Sequence, residues 1–145
     1  MGEVHFKYLS VLKRLGSIFF KTYNQEFADS LINRSFRLMN QEKLYLESNF
    51  SIENLATRLN VSSCLLSQII HDKLDQNFFD LVIHYRIQEA KKVLENPKSQ
   101  QMTMDKLAFE MGYSSISAFF DDFKQHTNQT PSEYRKQMNL ICGSS

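Results

Sequence analysis

Two stretches of this chain place polar side chains on one face of a helix and apolar ones on the other. Cys64, Ser67, Gln68 and His71 fall opposite Leu66, Ile69 and Ile70, and further on Ser117, Phe120, Asp121 and Lys124 fall opposite Phe119 and Phe123. An apolar face ties a helix to its core, so the opposite face meets whatever lies outside. The groups presented suit hydrogen bonding rather than catalysis. The Gln68 carboxamide can donate and accept at once, as an adenine edge requires, Ser67 can do either, and His71 is placed to meet a backbone phosphate. On composition alone, a solvated polar face is the simpler account of Gln68. On the second face Lys124 suits a phosphate and Phe120 a thymine methyl group. Asp121 repels phosphate and accepts only from a cytosine amino group.

Enzymatic chemistry finds little to work with. No nucleophile sits within a motif that supplies a base, and there is no glycine-rich loop to cradle a phosphate. Cys64 and Cys142 form no CxxC pair and have no histidine cluster near them, so neither a metal site nor any cofactor is expected. Two separated cysteines fit a reducing compartment. No apolar run is long enough to span a bilayer, and the opening MGEVHFKYLS lacks the apolar core of a signal peptide. A soluble, cytoplasmic chain is expected.

Charge does little to steer a partner. The net charge is +1; residues 1–39 hold six basic and three acidic residues, a net +3, which leaves eleven against thirteen, a net −2, for the remainder. Affinity for a polyanion would have to come from locally placed groups.

The elements that position these faces form a repeat. Leu55, Ala56, Leu59, Asn60, Val61, Ser62 and Ser63 recur 52 positions later as Leu107, Ala108, Met111, Gly112, Tyr113, Ser114 and Ser115. With one extra residue allowed in the second turn, Leu66 and Ile70 match Phe119 and Phe123. Few Gly and Pro beside many Leu, Lys, Glu and Gln favour helices, so each copy reads as helix, turn, helix, opened by an N-cap at Ser51 or Thr103. Asn60 and Gly112 tolerate the positive φ of the turn, and Ala56 and Ala108 are small where two helices cross. Each copy alone could be an ordinary helical hairpin; two copies argue for helix-turn-helix units over residues 51–74 and 103–127.

Between the copies, Phe78, Leu81, Val82, Tyr85, Ile87, Ala90, Val93 and Leu94 predict one amphipathic helix over 78–95, about 27 Å long. The stretch ENPKSQQ around Pro97 then makes the mid-chain connection. Thr130, Pro131 and Glu133 open a last helix ending near Met138, with a tail over 141–145. Upstream, Phe27, Ala28, Leu31, Ile32, Leu38 and Met39 form the stripe of a bracing helix over about 25–43. Residues 1–24 make a basic amphipathic extension that could pack on its own domain, form a dimer or lie on a membrane surface. The expected architecture is all-α, one domain over residues 25–140 with two helix-turn-helix subdomains on a long bridging helix.

The segments SIENLATRLNVSSCLLSQII, NFFDLVIHYRIQEAKKVL, LAFEMGYSSISAFFDDFK and TPSEYRK together resemble the C-terminal domain of the AraC/XylS family of bacterial transcription regulators. The resemblance covers about residues 44–138 and is carried above all by Gly112, Tyr113, Phe119, Phe123 and Lys124 with Thr130, Pro131, Tyr134 and Arg135. It implies a sequence-specific regulator of transcription with double-stranded DNA as its partner and RNA polymerase as a second one. Cys64, Ser67, Gln68, Ser117, Phe120 and Asp121 become base-reading candidates. The backbone candidates are His71, Lys124, the helix starts at Ser62, Ser114 and Thr130, and Arg86, which resembles a family arginine and suits an acidic neighbour equally well.

Family members carry a sensor or dimerisation region ahead of this domain. The resemblance therefore implies a longer native regulator, homodimeric through its N-terminal region, and leaves room for a membrane tether ahead of the domain. Two departures stand out: Asp121, where the family commonly has a basic residue, and Asn128, where glycine is common. The rival reading is a protein-interaction module that kept the fold and lost DNA affinity, which Asp121 and the −2 remainder would suit.

Overall fold

The computed structural model describes residues 23–143, so most of the extension expected over 1–24 lies outside the described residues. Within them the fold is all-α. Helix α1, Gln25–Glu42, starts from the Asn24 cap and buries Ala28, Leu31, Ile32, Ser35 and Met39. Ser35 is tolerated in that stripe because its hydroxyl donates to the Leu31 carbonyl at 2.8 Å. Lys43, at φ 50°, ends the helix and turns the chain into a short 3-10 segment, Leu44–Leu46.

The first helix-turn-helix follows. Ser51 and Asn54 close a capping box at the start of α2, Ile52–Leu59, and α3 runs Ser63–Leu74 from the Ser62 cap. Asn60 takes φ 57° in the turn, and the Val61 amide donates to the Ala56 carbonyl at 3.0 Å. The bridging helix α4 spans Phe78–Glu95 from the Asn77 cap. The second unit follows the first closely, with one extra residue in its turn. Thr103 caps α5, Met104–Glu110, Gly112 takes φ 87°, and the Tyr113 amide donates to the Ala108 carbonyl, again at 3.0 Å. Helix α6 is Ile116–Thr127, stopped by Asn128 at φ 62°, and α7 is Pro131–Cys142. The last helix thus runs a turn past the expected end at Met138, carrying Leu140 and Ile141 outward at 69% and 61% exposure. No helix breaker intervenes between Met138 and the Gly143 that caps it, so local propensity continues the helix.

Each unit has its own core. Leu55, Ala56, Leu59, Leu66, Ile69 and Ile70 pack with α1 and Val82 in the first; Leu107, Ala108, Phe119, Phe123 and Tyr134 pack with Ile87, Ala90 and Leu94 in the second. The bridging helix passes from one core to the other between Val82 and Ile87, and Leu46 touches both. Burying Phe119 and Phe123 completely fixes the rotation of α6, since truncating either would cost about 3–5 kcal/mol.

Candidate nucleic-acid interface

With Leu66, Ile69 and Ile70 fully buried, α3 turns Cys64 and Ser67 to solvent and leaves Gln68 and His71 half-exposed. Gln68 lies along the helix surface and donates through Nε2 to Asp72 Oδ1 at 2.9 Å. The other carboxylate oxygen accepts from the Tyr23 hydroxyl at 2.6 Å, and burial together with this partner raises the Tyr23 phenol to about 12. Next to it, Lys73 is 2.7 Å from Asp29 and donates to Gln25 Oε1 at 2.6 Å. The start of α1 is therefore laced to the C-terminal half of α3. This ties the orientation of α3 to the chain that enters the domain.

On α6 the buried Phe119 and Phe123 leave Ser117, Asp121 and Lys124 exposed, with Asp121 central in that face. Phe120 differs from the expectation. It is half-buried, packs against the second core and sits edge-on to Phe119 at 6.1 Å, so its ring belongs to the flank of the face. Ala118 and Gln125, not singled out by sequence, complete the exposed stripe, and the wheel that placed Asp121 outward contained the signal for both.

Among the helix starts, the Ser62 hydroxyl accepts from the Leu65 amide at 3.2 Å. Ser114 does not start a helix. The cap of α6 is Ser115, which accepts from the Ala118 amide at 3.3 Å, because the extra residue of the second turn falls before the cap and Ser114 is that residue. At Thr130, the hydroxyl accepts from the Glu133 amide and the Glu133 carboxylate accepts from the Thr130 amide, at 3.2 and 3.1 Å. That carboxylate puts a negative charge at the helix start, which disfavours a phosphate there.

Arg86 points into the joint between the units instead of outward. Its Nε donates to the Tyr45 carbonyl at 2.6 Å, Nη2 donates to the Glu47 carbonyl at 2.9 Å, and its guanidinium lies 5.3 Å from the Tyr113 ring centroid. Burial lowers its pKa from the ordinary arginine value, partly offset by the Tyr113 and Asp122 oxygens. The geometry makes it neither an open phosphate contact nor the partner in a simple acid pair. Of the other bridging-helix cations, Lys91 lies 6.0 Å over Tyr134 and Lys92 3.8 Å from Glu89.

No group of metal-ligating side chains occurs among the described residues, and none of their helices is long and apolar enough to cross a membrane. What the geometry offers is two exposed polar helix faces on one bridge.

The family model described as a helix-turn-helix domain matches residues 55–137. The chain belongs to this family in its AraC-type form, a family of DNA-binding transcription regulators. Among relatives, the Msm operon regulatory protein of Streptococcus mutans is 25% identical over 104 residues, covering 69% of this chain and 36% of its own length. The HTH-type transcriptional regulator AlkR of Acinetobacter baylyi is 27% identical over 93 residues, covering 64% of this chain and 29% of its own length. This chain thus spans about a third of these relatives.

The C-terminal domain of AraT, a response regulator from Geobacillus stearothermophilus, superposes with a TM-score of 0.65 at 26% identity, covering 74% of this chain and 84% of that one. The DNA-binding domain of AdpA, solved in complex with a target DNA, shares the fold at a TM-score of 0.64 and 19% identity, over 81% of this chain and 97% of that one.

Proposed function

We propose that this chain is the DNA-binding part of a longer transcription regulator and reads duplex DNA through the exposed faces of α3 and α6. The observation that carries the reading is the repeated geometry. In both units a fully buried apolar stripe turns a polar stripe outward, and α4, about 27 Å long, holds the two units apart. One turn of B-DNA is about 34 Å, so two successive major-groove segments on one side come within reach if the duplex bends modestly.

Cys64, Ser67 and Gln68 on α3, and Ser117 and Asp121 on α6, are the base-reading set, with Phe120 at its edge. Ser62, His71 and Lys124 serve the backbone, Ser115 takes the role expected of Ser114, and Thr130 is limited by Glu133. AdpA, whose DNA-binding domain was solved on its target, supports DNA as the ligand of this fold. In the whole protein, RNA polymerase and a second copy joined through the N-terminal region are the further partners of this reading, with a membrane tether ahead of the domain and the DNA-binding part in the cytoplasm.

The interaction-module reading keeps one observation in its favour, the exposed carboxylate of Asp121 at the centre of the α6 face. Fluorescence anisotropy with a labelled random duplex at low salt decides between them. Binding that weakens as salt rises, with a log–log slope of several units, supports DNA; no binding at low salt sinks the proposal.

A further inference from the structure

We propose that Arg86, seated against Gly112, is the lock that fixes the second recognition helix relative to the first. Resting on the DNA reading above, this lock would also set the spacing of the two duplex segments the protein recognises. Arg86 lies on α4 where the helix leaves one core and enters the other, between Val82 and Ile87. A single helix joining two separate cores leaves them free to twist and bend unless something else joins them.

Arg86 joins them from both sides. Its Nε and Nη2 hold the Tyr45 and Glu47 carbonyls at the exit of the 3-10 turn, which belongs to the first unit. The same guanidinium faces the Tyr113 ring of the second unit, and the Tyr113 hydroxyl donates to Asp122 Oδ2 on α6 at 2.9 Å. An unbroken series of contacts thus runs from the first unit through Arg86 and Tyr113 to the second recognition helix.

Gly112 makes the closure possible. A Cβ at this position would stand 2.9 Å from Arg86 Nη2 and 2.9 Å from the Leu46 carbonyl oxygen, and its φ of 87° already disfavours a side chain. The two units approach each other across this residue. A planar, forked and partly desolvated guanidinium suits the role, because charge-assisted bonds to two carbonyls at once fix direction as well as distance. A lysine retains the charge but cannot span both carbonyls while stacking on the ring.

The test needs no DNA for its first arm. Spin labels at the exposed Cys64 and at Ser117→Cys, in the full chain carrying Cys142→Ser, report the distance between the two recognition helices. With Arg86 in place the distance distribution should be single and narrow. Arg86→Lys and Arg86→Met should widen it at least about twofold while keeping the helical circular dichroism signal, and Gly112→Ala should widen it likewise. A broad distribution with Arg86 present, or an unchanged width in the folded variants, overturns the lock. So does loss of the helical signal in both Arg86 variants, which would make Arg86 a residue of the whole fold.

The second arm uses bipartite duplexes with one base pair inserted or deleted between the segments. Arg86→Lys should shrink the roughly tenfold penalty expected for mis-spacing to less than about threefold while isolated half-sites bind as before. A narrow distance that widens as expected, in a protein that binds no duplex, leaves the lock standing and removes the DNA reading instead.

Discussion

Gln68 donates its carboxamide proton to Asp72, one turn further along α3, at 2.9 Å. A primary amide has two donors and an acceptor, so the bond to Asp72 engages one donor and leaves a second N–H and the Oε1 to offer elsewhere. That pair matches the N7 acceptor and amino donor of an adenine edge. The carboxylate that lowers the local field for phosphate thus also orients the group that would read a base.

Gln68→Ala should therefore cost about 1–3 kcal/mol at one base position and relax preference there. His71→Ala should weaken specific and random duplexes alike. Competition binding against both kinds of DNA separates the two, and equal losses for Gln68→Ala would remove it from the reading set.

The repeat was legible because its signals are local. Asn60 and Gly112 mark positive-φ turns, Ala56 and Ala108 mark close crossings, and both pairs fall at one offset. The inward residues of α3 and α6 followed from the same periodicity. What escaped depends on distant partners or on a single inserted residue. The offset between α3 and α6 contains the extra residue, but the simple 52-residue repeat pairs Ser114 with Ser62 and so places the cap one residue before Ser115. Arg86 could not be placed from its own helix, since its partners, Tyr45, Glu47 and Tyr113, lie far away in sequence. Gln68 and Asp72, by contrast, stand four apart, and that spacing was a readable signal.

Asp121 faces solvent at the centre of the α6 stripe with no ion pair among the described residues. Asp121→Arg replaces a negative charge with a positive one, a change of two units, so non-specific DNA affinity should rise and the log–log salt slope should steepen by about one, with Asp121→Asn between. A fall in melting temperature with an unchanged slope would mean that Asp121 serves the fold.

The two turn residues should respond differently to substitution. Gly112→Ala meets both a positive φ and atoms 2.9 Å away, and should destabilise by about 1–3 kcal/mol. Asn60→Gly, at φ 57°, should be close to neutral because glycine adopts that conformation freely. Urea denaturation of both variants checks the contrast; equal effects would contradict it.

Tyr45 and Tyr134 are both raised to about 12, first by burial and then by the carboxylates of Glu89 and Glu95 that accept from their hydroxyls. Folding favours the neutral phenol. Their stabilisation is complete below the ordinary value of 10.0 and is lost as pH rises through about 12. Denaturant titrations should show stability falling across that window, and Tyr134→Phe should make the fall shallower. An unaltered pH dependence in Tyr134→Phe would count against the coupling.

Hydroxyl-radical footprinting on duplexes selected from a random pool tests most directly whether α3 and α6 both read DNA. The expected result is protection of two segments on one side of the duplex, about one helical turn apart, from a single copy of the domain. Protection confined to one segment of about half a helical turn would contradict it.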